Sequence, residues 1–409
     1  YENARSEALP HNTVIYVSPD GNNSGTVGLE GSPFATIQAA IDYSDEGDSI
    51  RVAVGTYIEN INFNGENIVV KGEDRETTII DGGQNGSVVS FLNDDHSNAS
   101  ISDFTLTNGT GYSVHWGLSG GGILVDSGGS PTIKNLIIKN NSALTGGGIF
   151  FHGGSPVIQN VLIIDNSATY GGGIFFMDDV HATVVNTTIT GNMASDNGGG
   201  YSVKWNGNSK LINSIIYDNS PQQIYFHDNN CDIAISYSNI EGGQDSINVH
   251  DANNSITWGS GNIDVDPLFI DPENGDYNLE WGSPCIDTGN PDLDGDGIPF
   301  ETDTDDQDPD TTQMDIGAYY FDQRDPIPPT LTITSLSSTY LGTDDSLTIY
   351  FDAYDNWLLG SAFINIIYPD TSIRLDTTLA EDGQFMIPIP DNYVDSALIR
   401  LTVLDYVQN

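Results

Sequence analysis

Nine carboxylates fall between Asp292 and Asp310, in the stretch PDLDGDGIPFETDTDDQDPD, with no lysine or arginine among them. Calcium takes six to eight oxygen ligands and tolerates irregular loops, so such a run is a candidate calcium site. Asp292, Asp294 and Asp296, followed by Gly297, match the first, third, fifth and sixth positions of a twelve-residue calcium loop. Ile298 offers its carbonyl at the seventh position and Asp303 stands at the twelfth, while Asp305, Asp306 and Asp308 are near enough to contribute. Two features depart from the helix-flanked loop: the last ligand is Asp rather than the longer Glu, and no helices flank the run. A solvated acidic loop is the alternative. The reading preferred here is a structural Ca²⁺ that staples a C-terminal cap.

The chain has 409 residues, with 58 acidic against 11 basic and a formal charge of −47. So negative a surface repels nucleic acid and anionic lipid, so no nucleic-acid partner is expected and an anionic membrane surface is a poor one. Divalent cations fit it, and so does plain acidic solubility. A hydrophobic content of 37% is enough for a packed core and excludes a disordered polyelectrolyte. No run of about 18 apolar residues is present, so no membrane insertion is expected. No signal peptide is visible, but YENARSEALP reads as a trimmed end, so this does not argue for the cytoplasm. Cys231 and Cys285 form either one disulfide or two buried thiols.

The elements that must position these groups are set by a repeat. Glycine triplets open GGGILV at Gly120, GGGIFF at Gly146 and Gly171, and GGGYSV at Gly198, at spacings of 26, 25 and 27. Two asparagine registers keep step with them: Asn135, Asn160, Asn186 and Asn213, then Asn141, Asn166, Asn192 and Asn219. A period near 25 holds about three short strands with turns, too few residues for a propeller blade. Stacked parallel coils place like on like at about 4.8 Å, so asparagine amides can bond along both registers, and Ile138, Ile163, Ile189 and Ile216 fill the interior. An open end of such a stack needs covering. SPFATIQAAIDYSDEGDSI supplies a capping helix over about 33–45, with Ser32 as N-cap and Pro33 at the first helical position.

These residues resemble a known group. ATIQAAI…GDSIRVAVGTYIENI, followed by triple-glycine coils, resembles the right-handed parallel β-helix (pectate-lyase-like) superfamily. The stretch SYSNIEGG…SPCIDTGNPD…MDIGAYYF is similar to the end of secreted bacterial β-helix proteins of cell surfaces, often followed by Ig-like modules and a type nine secretion sorting tail. The resemblance covers about residues 14–322 and implies an all-β, single-stranded right-handed parallel β-helix, extracellular or on a bacterial cell surface. The expected organisation is an arm (1–13), the β-helix (14–322) with an acidic C-terminal cap (283–322), a linker (323–329) holding RDPIPP, and an Ig-like β-sandwich (330–409). Alternating runs such as SLTIYFDAYDN and ALIRLTVLDYVQN fit the last module, and the resemblance implies further modules past Asn409.

Lyase chemistry on uronates needs a basic residue beside a cation. Only Lys134, Lys139, Lys204 and Lys210 lie between Arg75 and Arg324, at unrelated registers, so no paired basic site assembles. Asp165 and Asp218 share a register two coils apart, roughly 10 Å, near the upper end for an inverting glycosidase pair. Aspartate is also an ordinary turn former there, and that reading is preferred. Binding has more support. With Ile149 and Phe151 inward, Phe150 and His152 point outward, and Phe175 stacks on Phe150 one coil on, flanked by Tyr170 and Trp116. An exposed aromatic strip of this kind suits a polysaccharide or cell-surface glycan; reversed parity would put these rings in the core. A carbohydrate-binding or adhesive module is therefore expected, with a polysaccharide lyase or glycoside hydrolase, or a structural stalk, as alternatives.

Overall fold

Each repeat closes into one coil of three short strands, whose backbones pair with the equivalent strands one coil away. The computed structural model describes residues 13–25, 28–92, 98–115 and 117–323, and beyond them the strands given below. The expected arm (1–13, except Thr13), the RDPIPP stretch and Trp116 lie outside the described residues. The chain divides into two units, Tyr1–Phe321 and Asp322–Asn409.

In the first unit the strands gather into three parallel sheets of ten, eight and eight members, an all-β parallel solenoid. One coil reads Thr132–Lys134, Ile137–Lys139 and Ile149–Gly154; the next reads Val157–Gln159, Leu162–Ile164 and Ile174–Val180. Equivalent residues align: Ile138 pairs with Ile163, and Ile163 with Ile189. That column, with Ile216, is fully buried in the interior core, as expected. At the corner, Gly146 takes φ 63°. A Cβ on Gly147 would stand 2.5 Å from the Ser167 carbonyl oxygen and 2.6 Å from that of Gly172, so the coils approach too closely there for a side chain.

The two asparagine registers do different work. Asn141, Asn166, Asn192 and Asn219 are buried, and each of the first three donates from Nδ2 to Oδ1 of the next, at 3.1, 3.0 and 3.0 Å. Each next Oδ1 also accepts the backbone N–H of the preceding asparagine, as from Asn166 to Asn192 at 3.0 Å. The other register is not an amide ladder. Asn135, Asn160, Asn186 and Asn213 hold φ of 54°, 55°, 47° and 50°, the left-handed conformation that asparagine tolerates best among side-chain-bearing residues.

The N-terminal helix is Ile37–Tyr43, shorter than expected, and its N-cap is Thr36 rather than Ser32. Thr36 Oγ1 accepts from Ala39 N, and the Glu59 carboxylate accepts the N–H groups of Ile37 and Gln38. Ile37, Ala40 and Ile41 are buried in the interior core.

The second unit contains two antiparallel three-stranded sheets. One orders Thr330–Leu336, Ser346–Tyr354 and Gln384–Pro388; the other orders Ser372–Leu379, Leu359–Ile367 and Leu398–Asp405.

Candidate functional site

The segment after the last coil runs back along the flank, over the outward face of the sheet that holds Ile137–Lys139. Ile137, Leu162 and Ile164 pack there with Tyr277 and Ala318; Ile215 packs with Leu279, Cys285 and Ile316. Ala318 N donates to Thr188 Oγ1 at 3.0 Å, and Gly317 N to the Asn213 carbonyl at 2.8 Å. Arg75 lies 4.1 Å from the Tyr319 ring centroid, and the Tyr319 hydroxyl donates to Glu76. The segment expected as a C-terminal cap over 283–322 packs here as a side strap, covering the outward apolar residues Ile137, Leu162, Ile164 and Ile215. Cys231 and Cys285 are both free and buried, and burial pushes the Cys285 thiol up to about 11.

Between this strap and the coils lies a groove of about 460 Å³. Its floor is the turn column Asp165, Gly191 and Asp218 with Tyr217, and its wall brings Asp266, Phe269, Tyr277 and Glu280. It adjoins a hollow of about 400 Å³ through the shared residues Asp165, Pro272 and Glu273, with Lys139 and Glu76 beyond. Glycine in the middle of the column matters: an added Cβ at Gly191 would sit 3.0 Å from Asp165 Oδ1. No side chain therefore fills the gap between the two aspartates, which stand two coils apart, roughly 10 Å. Asp165 is exposed at its turn, yet the groove walls desolvate its carboxyl and push it up, with Lys139 opposing. Burial, and then the charges of Asp165 and Asp218, push the Tyr277 phenol up to about 12, so both carboxylates bear on this ring. Sequence register found Asp165 and Asp218. It missed Tyr217, Asp266, Phe269 and Tyr277, because the return of 266–280 over the coils has no periodic signal.

The expected aromatic strip is corrected in part. Its parity holds: Ile149 and Phe151 are interior, while Phe150 and Phe175 lie outside the interior core, stacked at 6.0 Å. Its exposure does not. Phe150 is 0% and Phe175 2% exposed, in a side cluster with Leu124 and Met177. Leu92, Val114, Tyr170 and Trp205 pack against it, and His227 stands 5.2 Å from Phe175. Loops between coils fold over this face, which strand alternation alone does not reveal. His152 is half-buried beside these rings, with Nδ1 2.7 Å from Asp126 and Nε2 3.5 Å from Asp178.

The acidic run divides into two groups that share Asp294. Asp294, Asp296 and Asp303 form one, and Asp292, Asp294 and Asp306 the other, each with carboxylate oxygens within 4.8 Å. Two carboxylates 4 Å apart repel by about 1 kcal/mol in water and about 4 kcal/mol at a partly buried site. Asp296 Oδ1 accepts the Ile298 N–H at 2.7 Å. Asp306, twelve residues beyond Asp294, is fully buried. Its Oδ1 accepts from Leu293 N at 2.6 Å, and its Oδ2 has no hydrogen-bond partner. Burial pushes this carboxyl up, and Asp294 and Asp292 add to the shift. Nearby, burial and the adjacent Asp308 push Asp315 up, although its carboxylate accepts from Asp287 N and Phe321 N.

Residues 121–264 match the family model described as right handed beta helix region. No curated protein matches the sequence. Among solved structures the chain is similar to pectate lyase Pel9A, at 16% identity over 76% of this chain and 97% of that one, with a TM-score of 0.44. It is also similar to pectin methylesterase PemA from Erwinia chrysanthemi, at 13% identity over 63% and 91%, with a TM-score of 0.36. Among the described residues no helix is long and apolar enough to cross a membrane.

Proposed function

We propose that this chain is a secreted or cell-surface β-helix that binds a polysaccharide in the flank groove, with the second unit as an Ig-like spacer. One observation carries the reading: two adjoining hollows share Asp165, Pro272 and Glu273 and so form an elongated trough with rings and carboxylates along it. Tyr217 and Phe269, both half-buried, offer apolar faces to sugar C–H groups, and the carboxylates accept from sugar hydroxyls. Six acids (Glu76, Asp165, Asp218, Asp266, Glu273 and Glu280) against Lys139 favour a neutral or amino-bearing glycan over a polyuronate. The two three-stranded sheets after Asp322 support the Ig-like reading of the spacer.

A hydrolase is the second reading. It is favoured by the gap at Gly191 and by the raised Asp165 carboxyl, the state a general acid needs, with Asp218 across the gap as base. Affinity electrophoresis and product analysis on neutral, amino-bearing and uronate polysaccharides test both readings. Binding of a neutral or amino-bearing polymer, weakened about tenfold or more by Tyr217→Ala, is expected. Retention by polyuronates alone, or binding indifferent to Tyr217→Ala, removes the groove assignment. Reducing ends released by the wild type and abolished in Asp165→Asn establish hydrolysis.

A further inference from the structure

The irregular acidic run holds a buried group that hydrogen bonding leaves unfinished. Asp306 is fully buried, Leu293 N fixes its Oδ1 and its Oδ2 has no hydrogen-bond partner, and its carboxylate lies within 4.8 Å of carboxylate oxygens of Asp292 and Asp294. A buried carboxylate oxygen without a donor is costly to keep, and two further carboxylates beside it raise the cost. In the absence of any donor side chain among these three residues, a cation satisfies all of them at once. We propose that Asp292, Asp294 and Asp306 bind one divalent cation, Ca²⁺ by preference, with Asp306 as the anchoring ligand.

Hard oxygen donors without nitrogen or sulfur suit Ca²⁺, which accepts an irregular loop more readily than Mg²⁺ does. This assignment differs from the twelve-residue loop reading, in which Asp296, the Ile298 carbonyl and Asp303 complete the site. Asp296 and Asp303 belong to the other group, which lacks Asp306 and its buried unpartnered oxygen. Bridging Asp306 to Asp292 and Asp294 joins the two ends of the run, so the cation closes the loop on the strap that forms the groove wall. The site stands independently of what the groove binds.

The test uses the full chain, stripped with chelator and titrated with CaCl₂ by calorimetry in 100 mM NaCl, which screens weak condensation on a polyanion. One saturable site is expected. Calcium at about a hundredfold excess over Kd raises the melting temperature by about 5 °C. Asp306→Asn weakens binding tenfold or more and removes the calcium-dependent rise, yet melts no lower than stripped wild type, because it deletes a buried charge. Asp296→Asn keeps both the binding and the rise. Absence of a saturable site or of a calcium-dependent shift in wild type overturns the proposal. So does unchanged binding in Asp306→Asn, or loss in Asp296→Asn equal to that in Asp306→Asn.

Discussion

The coils and the strap that covers them both bury polar side chains, and they do so in opposite ways. In the coils, Asn166 Nδ2 donates to Asn192 Oδ1 and to the Ile138 carbonyl, while its Oδ1 accepts from Asn141 N and Nδ2. Translation by one coil brings the same residue into the same place, so each amide supplies what its neighbour lacks. In the strap, Asp306 and Asp315 are buried among other aspartates, and backbone N–H groups supply only part of what they need. Repetition makes polar burial cheap because satisfaction is built into the period. An irregular segment must satisfy each group separately, and a run of like charge needs a proton or a cation.

The largest expected effect breaks the repeating side. Asn166→Ala removes four hydrogen bonds and strands buried groups on Asn141 and Ile138, and should cost about 4 kcal/mol in denaturant-induced unfolding of the first unit. A cost below about 1 kcal/mol would show that the ladder is incidental. Phe150→Ala probes a repeating residue that irregular loops cover. Burial in the side cluster implies a loss of about 3 kcal/mol, whereas an exposed strip would lose only about 0.5 kcal/mol. The smallest effect sharpens the strap. The Asp315 carboxyl is raised in the folded state, so its contribution to stability is full below the ordinary carboxylate range near pH 4 and fades as pH rises through the folded value. In chelator-containing buffer the wild type should therefore lose on the order of 1 kcal/mol between pH 5 and pH 9 beyond what Asp315→Asn loses. Parallel pH profiles for the two proteins would place the titration elsewhere; Asp308 and Asp287 are the groups that face it.

Much of the solenoid was legible because it is periodic. The triplets at Gly120, Gly146, Gly171 and Gly198, the Ile138 column and the Asn141 register all recur near 25 residues, and a period survives translation into space unchanged. The same logic gave the outward parity of Phe150 and Phe175 and the shared register of Asp165 and Asp218. It failed at Ser32: Thr36 caps the helix, and Glu59, from the turn after Gly55–Ile58, meets the Ile37 and Gln38 N–H groups. It failed again at Asn135, whose register supplies left-handed turns rather than a second ladder.

What the sequence by itself determined is the stack: coil length, interior columns and the asparagine ladder, since each depends on a residue meeting its own equivalent one period away. Tertiary structure alone decided which outward faces stay open. The loops that bury Phe150, the strap that forms a groove over Asp165 and Asp218, and the return of Asp306 to Asp292 and Asp294 join residues with no common period. Their meeting depends on how aperiodic segments cover apolar strand faces, and local spacing carries no record of that.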